Sequence, residues 1–237
     1  DMEIGQVHPG YLYDMQQYQK ILQQRNNYLK STDVRRASPE LLDVWNVQLA
    51  TTGVKMMQKR KNFIEKLQIW AEKIHAGITG GAERFTVQYK PSFGAPDGAD
   101  PQDQSSLFGQ FMIKLTEGKE QEFKRGATLT GPHRDDLVFA INGKDVQSFG
   151  SQGQQRTAAL SLKLAELELM HEEIGEYPLL LLDDVLSELD QTRQTQLIET
   201  FQSRVQTFIT TTGLEGVNMG RLKDASIFHV RDGRLLR

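Results

Sequence analysis

The 237-residue sequence contains no cysteine. This absence excludes a disulfide framework and any thiolate metal site, and it fits a reducing cytosol. The sequence also has no apolar run near the ~20 residues that a membrane helix needs, and no basic start followed by an apolar stretch, as in a secretion signal. A composition of 38% hydrophobic and 25% charged residues is typical of globular proteins. We therefore expect a soluble, cytoplasmic protein.

A large excess of one charge is also missing, since the net charge is −3. The charges are unevenly distributed, however. Ten Lys or Arg face four Asp or Glu between Lys20 and Lys66, whereas ten acidic residues face Arg193 alone between Glu166 and Thr200. This contrast indicates two surfaces with different partners, although solvated helix faces are the simpler interpretation of charge alone.

The first part of the sequence predicts a mainly helical domain over residues 1–126. Apolar residues at spacings of three and four predict helices over 11–31, 39–77 and about 103–125. Ser38 and Pro39 supply a cap and a favourable first residue for the second helix. A short strand is expected in "ERFTVQYKP", residues 83–91.

Residues 127–237 predict a compact α/β segment. Alternation around Asn142-Gly143 indicates a hairpin, and an Ala- and Leu-rich helix follows from residue 151. "YPLLLLDD" (177–184) is typical of a strand in a sheet covered on both faces. A helix over 191–203 and strands over 206–211 and 226–231 complete this segment.

The apolar strand ends in two adjacent carboxylates, Asp183 and Asp184. Ligands of α/β sheets gather at the carboxyl ends of strands. There one Asp can hold Mg²⁺ and a neighbouring carboxylate can orient an attacking water. Acidic residues at strand ends are nevertheless common, so this pair alone does not establish nucleotide chemistry.

A second motif, "FGSQGQQRTAAL" (149–160), places Gly and Ser directly before a long helix. The N–H groups of a helix N-terminus favour a phosphate, and Ser151 can cap the helix or contact that phosphate. An ordinary capped helix would have the same pattern. "SELD" (187–190), by itself, is only a turn into a helix.

Taken in order, these motifs resemble the carboxyl-terminal half of an ABC/SMC-type ATPase head: signature turn, Walker B strand, then D-loop. The amino-acid sequence is most similar to that of the RecF family of bacterial repair proteins, in the blocks "LQQRNNYLK" (22–30), "TGPHRDDLVFAINGKDVQSFGSQGQQRTAALSLKLAELEL" (130–169) and "PLLLLDDVLSELD" (178–190). The resemblance covers nearly the whole chain. It implies an α/β fold, the carboxyl-terminal lobe of such a head (127–237) with an inserted helical arm (1–126).

A phosphate-binding loop of the form G-x-x-x-x-G-K-[ST] is absent from the sequence. The resemblance places that loop ahead of the arm, so we expect this chain to lack roughly the first third of the family's protein. By itself it is not expected to hydrolyse ATP.

The resemblance implies that two full-length subunits sandwich ATP and Mg²⁺. Its implied site residues are the catalytic Asp183 and Asp184, with Asp183 also holding Mg²⁺; Ser151, Gln152, Gly153 and Gln154, which bind nucleotide on the other subunit; Ser187 and Asp190 of the D-loop; and Thr211 as a switch residue. Asp184 replaces the usual Glu of ABC ATPases, and "TTT" (210–212) replaces the usual histidine. Both departures imply slow turnover, and the resemblance implies that hydrolysis is coupled to DNA.

The resemblance also implies a role in DNA repair and replication restart. The partners would be gapped DNA or single-strand/double-strand junctions, a second copy of the chain, RecR and RecO, with RecA loaded onto single-stranded DNA. Eight basic residues of the arm are candidates for contacting the DNA backbone: Arg25, Lys30, Arg35, Arg36, Lys55, Lys59, Arg60 and Lys61. His133 lacks partners at metal spacing, which favours a structural turn.

Two alternatives remain at this point. One is a nucleotide-gated DNA-binding clamp without significant hydrolysis, which the departures at Asp184 and at the missing histidine keep open. The other is a transporter ATPase subunit, which the long arm and the Thr run disfavour.

Overall fold

The computed structural model describes residues 1–93, 104–184, 194, 195, 198, 204–213 and 225–236. The helices in these ranges are α1 (Met2–Val7), α2 (Pro9–Ser31), α3 (Pro39–Thr79), α4 (Gln104–Glu117), α5 (Lys119–Arg125), α6 (Val146–Phe149) and α7 (Gln152–Ile174). The strands are β1 (Phe85–Lys90), β2 (Asp136–Ile141), β3 (Lys144–Asp145), β4 (Leu180–Asp183), β5 (Thr207–Thr210), β6 (His229–Arg231) and β7 (Arg234–Leu236). Within these described ranges, no helix is both long enough and apolar enough to cross a membrane.

Helix α3 is the longest element, with 41 residues and a length of about 60 Å. The Ser38 hydroxyl accepts a hydrogen bond from the N–H of Leu41, with Pro39 next to the cap, as predicted. At its other end Gly80 adopts a left-handed conformation with φ 62°, which glycine permits without strain. Helices α2, α4 and α7 all pack against α3.

The single helix predicted over 103–125 is two helices, α4 and α5, and residue 103 lies outside the described residues. Gly118 separates them: its N–H donates to the carbonyl of Lys114, and its own carbonyl accepts from the N–H of Glu122. A side chain here would meet the Lys114 carbonyl oxygen at 3.1 Å. The break therefore occurs where the residue has no Cβ to obstruct the turn.

The first sheet has the order β1-β2-β3, with antiparallel pairing throughout. The predicted turn joins β2 to β3, with left-handed φ values of 51° at Asn142 and 76° at Gly143, as a two-residue hairpin loop requires. The second strand is shorter than predicted. Asp145 caps the short helix α6 through the N–H of Ser148, which takes residues 146–149 out of the sheet.

The second sheet pairs β4 with β5 in parallel, with Leu180 opposite Thr207 and Asp183 opposite Thr210. Leu160, Leu164 and Leu167 of α7 cover one face, on which Leu180 and Leu182 are buried. The prediction that both faces are covered is wrong for this chain, because Leu181 on the opposite face is 73% exposed. A parallel sheet of this kind is usually covered on both faces.

The two predicted domains share elements of one core. Strand β1, from residues 1–126, pairs with β2, from residues 127–237, and α3 packs along α7. The larger apolar cluster accordingly contains residues from both ranges, such as Leu67 and Phe85 with Ala165 and Leu169. The remaining pair, β6 and β7, forms a separate two-stranded antiparallel hairpin.

Candidate functional site

The two carboxylates predicted to be catalytic, Asp183 and Asp184, lie at the carboxyl end of β4 on the exposed edge of the second sheet, here called the acidic edge. Asp183 is the one predicted to hold Mg²⁺. Asp183 ends the strand, and Asp184 follows in a left-handed conformation with φ 52°. Asp is one of the few residues that adopt this conformation at modest cost. The chain therefore turns sharply directly after Asp183, and both carboxylates remain accessible to a cation.

Thr210 is the residue of this edge that the sequence prediction missed. Its hydroxyl donates to the Asp183 carboxylate and accepts from the N–H of Asp184 at 3.0 Å. Parallel strands end at the same edge of a sheet. Pairing the two predicted strands with Thr210 opposite Asp183 would have identified this residue. The predicted switch residue Thr211 lies one position further, where its hydroxyl donates to the carbonyl of Gly213 at 2.8 Å.

The signature turn is built as a capping box at the start of α7. The Ser151 hydroxyl accepts from the N–H of Gln154 at 3.2 Å, while the Gln154 side chain accepts from the N–H of Ser151 at 3.0 Å. The N–H groups of Gln152 and Gly153 belong to the first turn, where a helix supplies them with no partner of its own. Together with the exposed Ser151 they form a set of donors that suits an anion.

Gly150 fixes the entry to this turn. Its N–H donates to the carbonyl of Val146 at 3.0 Å, which closes α6. A Cβ at this position would lie 2.5 Å from the Val146 carbonyl oxygen, so the backbone itself excludes a side chain. Gln155 supports the same turn by donating to the carbonyls of Val146 and Gly150.

The signature turn and the acidic edge lie apart within one chain. The apolar contact of α7 with β4 begins at Leu160, nine residues beyond Ser151, and this distance corresponds to about 14 Å of helix. The residues of both predicted half-sites lie on separate elements, and among the described residues no hydrogen bond joins Ser151 to Asp183.

Two of the predicted site residues, Ser187 and Asp190, lie outside the described residues. Within the ranges that the structure describes, no group of three or more His, Asp or Glu side chains is arranged to hold a metal ion. Metal binding at this edge would thus depend on Asp183 and Asp184 together with ligand oxygens, which is the usual mode for Mg²⁺ beside phosphates.

Arg25 was predicted to contact DNA, and this prediction is wrong. Its side chain is 0% exposed and donates to Glu122 at 2.6 Å, Asn46 at 2.9 Å and Thr128 at 2.7 Å. Glu122 is itself buried. The guanidinium therefore holds α2, α3 and α5 together and cannot reach a phosphate in solvent.

Three other candidates on α3 are engaged with carboxylates of the same chain. Arg60 donates to Asp1 at 2.7 Å and to the carbonyl of Pro132, Lys59 pairs with Asp14 at 3.1 Å, and Lys61 pairs with Glu65 at 3.6 Å. Arg60 is also the most enclosed of the three. By contrast, four candidates have exposed side chains: Lys30, Arg35, Arg36 and Lys55.

His133, in the "TGPHRDD" block, occupies a structural turn, as predicted. Its Nδ1 is 2.7 Å from the Tyr18 hydroxyl and its Nε2 is 3.1 Å from the carbonyl of Thr128. Burial lowers the pKa of His133, which favours a neutral imidazole with Nε2–H donating to Thr128. Next to it, Asp135 accepts from the Tyr89 hydroxyl and from the N–H of Ser92.

The chain is similar over its whole length to several bacterial proteins. It is 51% identical over 238 residues to the DNA replication and repair protein RecF of Bacillus subtilis (strain 168), covering 100% of this chain and 64% of that protein. The RecF of Geobacillus sp. (strain WCH70) is 51% identical over 236 residues, covering 99% and 62%. The chain therefore spans less than two thirds of the length of these relatives, and no family model matches it.

Solved structures give the same result for the fold. The recombination mediator protein RecF-ATP in the RecFOR pathway superimposes with a TM-score of 0.83 at 32% identity, covering 98% of this chain and 60% of that one. A second structure, RecF-ATPrS in the same pathway, gives a TM-score of 0.84 at 33% identity, covering 99% and 60%. The predicted α/β fold, part of an ABC/SMC-type ATPase head with an inserted helical arm, is confirmed.

Proposed function

The chain belongs to the RecF family of DNA replication and repair proteins, and from this premise we propose that it supplies half of a composite ATP site in a DNA-repair and replication-restart factor. The observation that carries the proposal is the placement of the two half-sites on separate elements. A capped helix N-terminus with its first-turn N–H groups lies at Ser151, and an acidic strand end lies at Asp183. A second subunit would be needed to bring one against the other.

The acidic edge has carboxylate oxygens, which are ligands that Mg²⁺ prefers. Asp183 would hold the ion, with its carboxylate oriented by the Thr210 hydroxyl, and the ion would offset the negative charge of the phosphates. Asp184 would accept a proton from, or orient, an attacking water. Its side chain is one methylene shorter than Glu, which supports slow turnover.

The signature turn would bind the same nucleotide from the partner subunit. Its exposed serine and first-turn N–H groups are directed away from the α7–β4 contact, and these groups complement a γ-phosphate in charge and geometry. ATP would then join two subunits, and hydrolysis, stimulated by DNA, would release them.

DNA would bind along the arm in this proposal. The exposed side chains of Lys30, Arg35, Arg36 and Lys55 are suited to phosphate contacts, which give salt-dependent affinity with little sequence preference. Gapped DNA and single-strand/double-strand junctions are the expected substrates. RecR and RecO are the expected cytoplasmic partners, and loading of RecA onto single-stranded DNA is the expected outcome.

An alternative is a clamp in which nucleotide controls dimerisation and DNA binding without significant hydrolysis. Asp184 favours this alternative, because its own left-handed backbone conformation and its short side chain both limit its reach. A single-turnover hydrolysis rate that is the same for the full-length parent and for Asp184→Asn would favour the clamp.

Sedimentation of the full-length protein with and without ATP tests the proposal. We expect ATP to convert the parent from monomer to dimer, and Ser151→Arg to abolish the dimer while monomeric subunits still bind ATP. As a matched control, Ser148→Arg places the same charge on the exposed helix α6 next to the turn and should leave dimerisation intact. A parent that stays monomeric with ATP, or a Ser151→Arg variant that dimerises normally, would overturn the composite site.

A further inference from the structure

A chain of hydrogen bonds connects the signature turn to the end of α3. The Gln154 side chain donates from Nε2 to Oε1 of Glu83 at 2.9 Å. The other carboxylate oxygen of Glu83, Oε2, is 3.0 Å from Nε2 of His75. Glu83 lies between α3 and β1, and His75 lies on α3 with 0% exposure. The turn is thus connected to the arm by side chains as well as by apolar packing.

His75 is hydrogen-bonded on both ring nitrogens. The Ser161 hydroxyl lies 2.7 Å from the carbonyl of Thr157 and 3.0 Å from His75 Nδ1, so Nδ1 is hydrogen-bonded to Ser161 as donor or as acceptor. A carboxylate only accepts, so His75 Nε2 carries a hydrogen that it donates to Glu83. His75 therefore holds the Glu83 carboxylate, whose other oxygen is directed at Gln154.

The Gln154 amide is the point at which this pair acts on the turn. Its Oε1 accepts from the N–H of Ser151, and its Nε2 donates to Glu83. A carboxylate accepts but cannot donate, so Glu83 fixes which end of the amide faces Ser151. If the amide were reversed, two donors would face each other at Ser151 and the capping box would be lost.

We propose that Glu83, held by His75, is a positioning residue for the signature turn: it orients Gln154 and thereby the Ser151 hydroxyl and the first-turn N–H groups. The proposal rests on the proposed function, in which these groups bind nucleotide on the partner subunit. Glu83 does not belong to the signature motif, and it acts only through Gln154.

The proposal predicts a specific effect on dimerisation in the full-length protein. Glu83→Ala should weaken the ATP-dependent dimer by about tenfold or more, the range expected when a hydrogen bond to a charged group is lost. The ATP affinity of the monomeric subunit should stay unchanged, since the nucleotide first binds at the Asp183 edge. Glu83→Gln should dimerise within about threefold of the parent, because an amide accepts from Gln154 and donates to a neutral His75.

An exchange of charge gives a second test that needs no truncation of a buried contact. Gln154→Glu places two carboxylates against each other and should weaken the dimer at least as much as Glu83→Ala. Adding Glu83→Gln restores a donor–acceptor pair and should recover most of the loss. Thermal unfolding of each variant reports any general loss of stability, which would lower monomer ATP binding as well.

The outcomes separate this inference from the proposed function. If the parent dimerises with ATP and Ser151→Arg abolishes the dimer, but Glu83→Ala dimerises like the parent, the positioning role is wrong and the composite site stands. A double variant no better than Gln154→Glu alone would also overturn the positioning role. A parent that never dimerises would overturn both.

Discussion

At the scale of single residues, burial rather than charge decides what the basic side chains of the arm can do. Arg25 and Arg35 are indistinguishable in a charge count, yet Arg25 is buried against Glu122 whereas Arg35 is exposed. The pattern of apolar residues predicts helix faces but not the identity of a buried ion pair. Two of the partners of Arg25, Thr128 and Glu122, are about 100 residues away in the sequence, so no local signal identifies them.

Arg25→Ala should destabilise the protein by about 3–5 kcal/mol, since removing one partner leaves the Glu122 carboxylate buried and unpaired. Chemical denaturation, followed by circular dichroism, measures this loss. Arg35→Ala is the matched control and should change the unfolding free energy by no more than about 0.5 kcal/mol. An Arg25→Ala variant as stable as the parent would show that the pair contributes nothing.

The same two variants should behave in the opposite way toward DNA. Arg35→Ala should lower affinity for gapped DNA and reduce the slope of log K against log salt by about one phosphate contact. Arg25→Ala, at temperatures where it is folded, should leave that slope unchanged. Fluorescence anisotropy across a salt series measures both, and a changed slope for Arg25→Ala would place its charge at the DNA after all.

At the scale of elements, sequence periodicity predicted the long helices to within a few residues. The predicted helices 11–31 and 39–77 are α2 (Pro9–Ser31) and α3 (Pro39–Thr79), because a continuous apolar stripe and a cap define them locally. The predictions failed where a single residue, through its backbone or its capping side chain, ended an element. Gly118 divided one helix, and the Asp145 cap converted half of a predicted strand into α6.

The candidate site was predicted in part for the same reason. The residues of the signature turn and the acidic strand end are contiguous in sequence, so their motifs could be identified directly. Thr210 and Glu83 act across a strand pair and across two helices, with partners 27 and 71 residues away. Only the register of β4 with β5, and the packing of α3 on α7, bring them into place.

The signature turn should be intolerant of a side chain at its entry. Gly150→Ala forces a Cβ to within 2.5 Å of the Val146 carbonyl oxygen, and the resulting shift should lower stability by about 1–3 kcal/mol. It should also weaken ATP-dependent dimerisation, because α6 and the cap at Ser151 share this backbone. Thermal unfolding and sedimentation measure the two effects.

Gly77→Ala provides a control of opposite sign. Gly77 lies inside α3 with open space where a Cβ would be, so alanine should stabilise the protein by about 0.5–1 kcal/mol. If Gly150→Ala is as stable as the parent while Gly77→Ala behaves as expected, the turn is less constrained than its geometry indicates.

At the scale of the whole molecule, the arm and the lobe are not separated by a simple boundary. Strand β1 of the predicted arm pairs with β2 of the predicted lobe, although the predicted boundary at 126/127 lies between them in the sequence. Helix α3 of the arm also packs along α7 of the lobe. We propose that the two regions nevertheless bind different ligands, as predicted, with DNA on the arm and nucleotide on the lobe. The long helix α3 connects the two regions, with Lys55 near its middle and His75 near its end.

The second sheet has one exposed face in this chain. Leu181 and Phe208 are both more than half exposed, on the side opposite α7. The relatives contain residues that have no counterpart in this chain, which covers 64% of one of them. The sequence predicted a strand covered on both faces from its four leucines, and periodicity alone could not indicate which segment would supply the second cover.

The central claim is that one subunit's signature turn completes the site on its partner's acidic edge. The most direct measurement mixes two full-length variants, labelled Ser151→Arg and excess unlabelled Asp183→Asn, and follows the label by sedimentation with ATP. In the mixed dimer, one site combines an intact Asp183 with an intact Ser151. We expect the label to sediment as a dimer in the mixture. Each variant, labelled and measured alone, should sediment as a monomer. A label that stays monomeric in the mixture would contradict the shared site.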